Sequence, residues 1–185
     1  RPGGYGQPWK ENELPAHGVT LGAFHIDRDE VSVERYAEFL SEAGGEAHRH
    51  PLMPIVLEAG RYLPGEGSGS LPIAYVSWYD AATFCAWAGG RLPTEAEWER
   101  AARGVDGRTY PWGEDAPSCE HAVFYTGSTF CAAHPVAIGT HPDGDSPEGC
   151  RDMAGNVWEW VADVYDVYPG HPEAPSPEPL IDPPG

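Results

Sequence analysis

Glycine and proline break this chain so often that long regular elements have little room. The 185 residues hold 23 Gly and 20 Pro, about a quarter of the chain. Seven Trp and nine Tyr separate it from low-complexity disorder, which lacks the apolar surface to form a core. The pairing predicts a loop-rich fold pinned by aromatic side chains, and the length suits one substantial domain. Eleven Lys+Arg against 29 Asp+Glu give a net charge of −18. Phosphate backbones and anionic membrane surfaces repel such a chain, so nucleic acid and membrane surface are excluded as expected partners. No apolar run approaches the roughly 18 residues of a membrane span. The chain opens Arg1-Pro2-Gly3-Gly4 without Met, as a processed or trimmed product does.

Within these limits a few elements are legible. Val19–Asp27 alternates apolar and polar residues, which predicts a strand. Ser32 is placed to cap a helix over Val33–Ala43, with Val33, Tyr36, Ala37 and Leu40 on one face. A short hairpin is expected around Ile55–Tyr62. Ser77-Trp78-Tyr79-Asp80 and Thr94-Glu95-Ala96-Glu97 are capping boxes opening helices that end at Gly89-Gly90 and Gly104. Residues 104–152 are turn-rich, and such a stretch is commonly a functional loop or one held by metal or disulfide. Gly155–Ala162 is aromatic and β-branched and reads as a buried strand, with Trp158 and Trp160 packed in the core. Seven prolines from Tyr168 onward mark an extended tail. The division expected is an irregular segment at 1–18, a domain at 19–167 and a proline-rich tail at 168–185.

The chemistry-bearing side chains are few. Cys119 and Cys131 flank one loop and are expected to form a disulfide. Closing a ring of about 13 residues removes roughly 3 kcal/mol of unfolded-state freedom in the chain-entropy model. An even cysteine count in a loop-rich chain fits an oxidising compartment, though four cysteines allow three pairings. His48-Arg49-His50 offers only two ring ligands, a weak metal site, and reads as surface histidines. Glu97 serves the capping box and Glu95 the helix dipole. Asp143-Gly144-Asp145 reads as a turn. Asp152 and Glu159 differ, because they bracket an Ala-Gly-Asn turn. Hard carboxylates joined by a tight turn with backbone carbonyls suit Ca²⁺. The alternative is that Glu159 accepts backbone N–H groups or pairs with Arg151, the nearest basic residue.

Three ordered motifs go further. Val76–Glu99, running Val-Ser-Trp-Tyr-Asp-Ala-Ala-Thr-Phe-Cys-Ala-Trp-Ala-Gly-Gly-Arg-Leu-Pro-Thr-Glu-Ala-Glu-Trp-Glu, resembles the signature of the formylglycine-generating enzyme (sulfatase-modifying factor) family. Tyr110-Pro111-Trp112-Gly113 and Asp152–Asp163 follow at the family's spacing, and Phe24–Val31 looks like its first strand and turn. The resemblance runs from about Glu13 to Asp163. It implies an α+β, C-type-lectin-like fold of the sulfatase-modifying factor type, loop-rich, with two or three helices and short strands. It also implies one Ca²⁺ held by the carboxylates of Asp152 and Glu159 and the carbonyls of Gly155 and Val157. The family's second calcium site looks degraded, with Ala122 where a side-chain ligand is expected and no acid near Ser128.

The family's catalytic segment is an Arg-Gly-Gly-Ser-Trp strand with a nearby pair of copper-binding cysteines. Nothing after Asp163 resembles it, and Cys85, Cys119, Cys131 and Cys150 are nowhere closer than 12 positions. Cys85 resembles a position that pairs with that segment in some relatives. The related sulfoxide synthases use an iron bound by three histidines, largely from a separate helical domain with no counterpart here. The expectation is therefore a non-catalytic domain, a binding or structural component of a larger extracytoplasmic protein or assembly, be it periplasmic, cell-surface or secreted. A protein partner or the remainder of a longer chain would complete it. The alternatives are a formylglycine-generating oxidase whose copper-binding segment lies outside this chain, and a lectin-like module that displays a ligand.

Overall fold

The computed structural model of the chain describes residues 15–43, 45–166 and 168. The first 14 positions and the proline-rich tail beyond Tyr168 lie outside them. The chain divides into two compact units, one from Gly22 to Ala162 and one drawn from the two chain ends. In the second unit the rings of His17 and Tyr168 meet edge-on at 4.8 Å.

The larger unit starts from α1, Val33–Glu42. Ser32 Oγ accepts the Arg35 N–H and so satisfies one of the helix's open donors. The apolar stripe of α1 is buried as its period requires: Val33, Tyr36, Ala37, Phe39 and Leu40. A 3-10 turn follows at Gly45–His48, then an antiparallel hairpin of β1 (Ile55–Glu58) and β2 (Arg61–Pro64). Ala59 and Gly60 at its tip both have positive φ, the backbone a two-residue hairpin turn demands. α1 lies along β2, where Ser41 Oγ accepts the Tyr62 N–H and its hydroxyl donates to Tyr62 O. α2, Trp78–Trp87, brings Phe84 into ring contact with Tyr36 and Phe39, and Met53 and Ile55 complete this core.

α3, Glu95–Arg103, closes the helical set. Both α2 and α3 open with complete capping boxes, Ser77 with Asp80 and Thr94 with Glu97. Ala101 and Ala102 of α3 form a second, smaller core with Cys150 and Met153, against which Ile26 and Trp98 pack. The rest is turns and loops, with one short 3-10 turn at Pro142–Gly144.

Two expected strands do not form. Val19–Asp27 alternates in exposure only from Ala23 to Asp27, and no described strand lies beside it to complete a ladder. Gly155–Ala162 is also irregular. Its backbone donors are taken by loops and side chains instead, as in Asn156 N–H to Val123 O, Val157 N–H to Glu30 and Ala162 N–H to Pro93 O. Nor are its tryptophans core residues. Trp158 is 98% exposed and Trp160 49%. Trp160 is tethered at its indole N–H, which donates to Val76 O. No residue of Gly155–Ala162 is fully buried, and the nearest buried apolar residue is Met153, two positions before it.

Candidate functional site

The site grows from the turn that begins at Arg151. Its backbone N–H donates to Arg28 O, which anchors the turn to the strand-like segment before α1. Its guanidinium forks onto both carboxylate oxygens of Asp29. Arg151 is thereby committed and does not pair with Glu159, which removes one of the two alternatives to metal binding. Asp152 and Asn156 both adopt positive φ, and Gly155 lies between them at φ 106. Asn and Asp tolerate the left-handed region better than other side-chain-bearing residues. The effect is a tight curl in the backbone between Asp152 and Asn156.

Each acidic group has a distinct neighbour. Asp152 Oδ2 accepts the Gly139 N–H at 2.6 Å. Glu159 accepts the Trp98 indole N–H at 2.5 Å. Glu159 is exposed as a residue, with its carboxylate lying against the Trp98 indole and near Asp152. Desolvation of that carboxylate pushes its pKa up, the Trp98 bond opposes the shift, and the charge of Asp152 adds to it.

A third carboxylate, not singled out in the sequence, joins them. Glu30 accepts Asn156 Nδ2–H at 2.7 Å and the Val157 N–H at 3.3 Å. Burial pushes it up to about 8; the Asn156 bond opposes this, while the charges of Asp152 and Glu159 add to it. Its sequence surroundings, Asp-Arg-Asp-Glu-Val, carry no ligand spacing. The signal is tertiary, since 126 positions separate Glu30 from Asn156.

Three carboxylates thus share one neighbourhood, and the nearest arginine is spent elsewhere. Among the described residues no hydrogen bond is donated to the carbonyls of Gly155 or Val157. The donor set is all oxygen, which fits a hard cation such as Ca²⁺. Among the described residues, however, no three acidic, His or Cys side chains converge on a single point. Glu30 is turned toward Asn156, so side-chain rotation must precede any shared coordination.

The other sequence candidates are structural. Cys119 and Cys131 are joined in a disulfide. Cys85 is a half-buried thiol on the first core and Cys150 a buried thiol in the second. Burial pushes both thiols up, so neither is a ready thiolate. His48 is not a free surface histidine. Its Nδ1–H donates to Asp80 Oδ1 at 2.8 Å and its ring lies against Phe39. His50 stacks on Tyr75. Glu97 takes two guanidinium bonds from Arg91 at 2.7 and 2.8 Å besides its capping role. Ala122 is buried at the back of the turn and offers no ligand.

Comparison with known proteins places the chain in a family. The chain is 35% identical over 179 residues to the serine/threonine-protein kinase Pkn1 of Chlamydia trachomatis, covering 90% of this chain and 28% of the kinase. It is 34% identical to the hercynine oxygenase of Mycolicibacterium smegmatis, over 86% of this chain and 42% of that protein. It is 35% identical to the formylglycine-generating enzyme of Thermomonospora curvata, over 85% of this chain and 65% of the enzyme. It therefore spans between about a quarter and two thirds of these relatives. The solved structure of PvdO from Pseudomonas aeruginosa superposes with a TM-score of 0.54 at 26% identity, covering 75% of this chain and 56% of that one. The profile of the sulfatase-modifying factor enzyme 1-like domain matches residues 2–178. By that match the chain, whose described residues form an α+β fold with three α-helices and the β1–β2 hairpin, belongs to the sulfatase-modifying factor family.

Proposed function

We propose that this chain acts as a non-catalytic domain of its family, a Ca²⁺-stabilised binding or structural component of a larger extracytoplasmic protein or assembly. The observation that carries this reading is the contrast between scaffold and chemistry. The capping boxes and the disulfide loop are built in full, while the two free thiols are desolvated and sit in different cores. A copper-dependent oxidase needs a close thiolate pair, because soft sulfur holds Cu(I). The relatives support a module reading too, since one kind of domain recurs in proteins named for a kinase, an oxygenase and a formylglycine-generating enzyme. The disulfide favours an oxidising compartment. The exposed rings of Trp158, Trp160 and Tyr79 supply the kind of aromatic surface that protein partners cover.

Asp152 and Glu159, with the carbonyls of Gly155 and Val157, would hold the Ca²⁺, and Glu30 braces the turn beside it through Asn156 and Val157. The ion's contribution is structural: it neutralises carboxylates that otherwise repel one another.

The second reading is an oxidase whose thiolate pair, and with it the copper, is supplied from outside these residues. It is favoured by the 65% coverage of the formylglycine-generating enzyme. One assay separates the two. The product of the full gene is incubated with Cu(I), O₂ and a cysteine-containing sulfatase peptide. The non-catalytic reading expects the cysteine to be recovered unchanged, and formation of an aldehyde at that cysteine would overturn it.

A further inference from the structure

The disulfide and the acidic turn are parts of one construction. The ring closed by Cys119 and Cys131 has two halves. The first, His121–Val123, is a wedge with Ala122 and Val123 buried. It is driven between two glycines. A Cβ on Gly144 would collide with His121 O, and a Cβ on Gly155 would collide with Val123 O. Val123 O accepts the Asn156 N–H at 2.9 Å. The second half returns as a small hairpin. Tyr125 faces Phe130, and Cys131 N–H donates to Phe124 O at 3.0 Å. Most of this half is exposed, so the staple is what ties it back to the wedge.

From the wedge the contacts run directly to the carboxylates. Asn156, positioned by Val123, donates to Glu30 and exchanges two hydrogen bonds with the backbone of Val136. The neighbouring Val157 N–H donates to the same Glu30. Cys119 is solvent-exposed, so a reductant can reach the bond.

We propose that the Cys119–Cys131 disulfide is a redox control on cation binding at the Asp152/Glu159 turn. Oxidised, it holds the wedge against Gly155 and so keeps Asn156 and the curl that carries Asp152, the Gly155 and Val157 carbonyls and Glu159 in place. Reduced, it lets the ring open, the wedge loosens and Ca²⁺ is held more weakly. The step is a two-electron, two-proton reduction. The S–S bond breaks, two thiols form, and a dithiol reductant is oxidised to its own disulfide. The stacking of Trp112 on His121 and the burial of Ala122 and Val123 still hold the wedge in part, so the change is graded.

The inference rests on the reading of this turn as a Ca²⁺ site, and linkage makes it testable from both ends. If reduction weakens Ca²⁺ binding tenfold, saturating Ca²⁺ must make the disulfide harder to reduce by the same factor. For a two-electron couple that is a midpoint about 30 mV more negative. The experiment is Ca²⁺ calorimetry on the full chain, oxidised and dithiol-reduced, with amide exchange followed at Asn156. A Cys119→Ser, Cys131→Ser variant should copy the reduced form. The expected result is a roughly tenfold rise in Kd on reduction, faster exchange at Asn156, and no change in the amides of α1. Equal Kd and equal Asn156 exchange in both redox forms would overturn the coupling. No Ca²⁺ binding by the oxidised protein, with Asn156 still loosened on reduction, would instead overturn the calcium reading on which the proposal depends.

Discussion

Glu97 illustrates how much one side chain can settle. It closes the capping box of α3 by accepting the Thr94 N–H, and it takes both guanidinium bonds of Arg91. The guanidinium beside it holds its pKa down to about 2, below the ordinary 4.5. A depressed carboxylate contributes stability that is present above the unfolded pKa and lost as pH falls through the folded one. Glu97→Gln should therefore cost about 2 kcal/mol near neutral pH, the scale of charge-assisted hydrogen bonds. The gap to the parent should close between about pH 4.5 and about pH 2. Urea melts across that range would measure it; a gap that persists unchanged at the acid end would show that charge is not the cause. This residue was legible from sequence because its partners are local, at three and six positions. Glu30 was not, because the partners and charges that make it unusual come from residues 122 or more positions away.

At the scale of elements, the same division holds. The helices were legible because caps, period and glycine stops are all local signals, and the hairpin because its turn sequence fixes its backbone. The two false strands failed for one physical reason. Alternation and aromatic content report that a segment has an inner and an outer side, but a strand also needs a neighbour, and nothing local encodes one. Around the turn at 151–159 the backbone is dictated instead by left-handed residues and by the wedge. Gly155 carries that arrangement, with φ 106 and Val123 O where a Cβ would stand. Gly155→Ala should lose more than the ~1 kcal/mol of an unfavourable φ, because the Val123–Asn156 contact must also shift. A loss of about 2–4 kcal/mol with weakened Ca²⁺ binding is expected. Gly107→Ala, also at positive φ but with open space around it, is the control and should show the φ cost alone. Equal losses at the two positions would mean that the close approach to Val123 contributes nothing.

For the whole molecule the governing quantity is charge. With a net charge of −18, the compact state repels itself, and any salt that screens it will stabilise it. Calcium could therefore raise the melting temperature with no site at all, and the two effects must be separated. Screening depends on ionic strength and is shared with NaCl; site binding saturates and depends on the turn. At 100 times its Kd a site-bound ion stabilises by about 2.7 kcal/mol. For a chain of this size that is a rise of about 5–10 °C. At matched ionic strength the parent should melt higher in Ca²⁺ than in NaCl with EDTA. Glu159→Gln should keep the NaCl response and lose the added increment, because it removes a ligand charge while leaving the other surface acids untouched. The same variant should be less stable than the parent in Ca²⁺. In EDTA it should match or exceed the parent, because without the ion a desolvated carboxylate beside Asp152 is a cost and not a gain. That crossover is what distinguishes a site from an atmosphere of counterions. Identical melts of the parent in Ca²⁺ and in ionic-strength-matched EDTA buffer would leave screening as the whole effect.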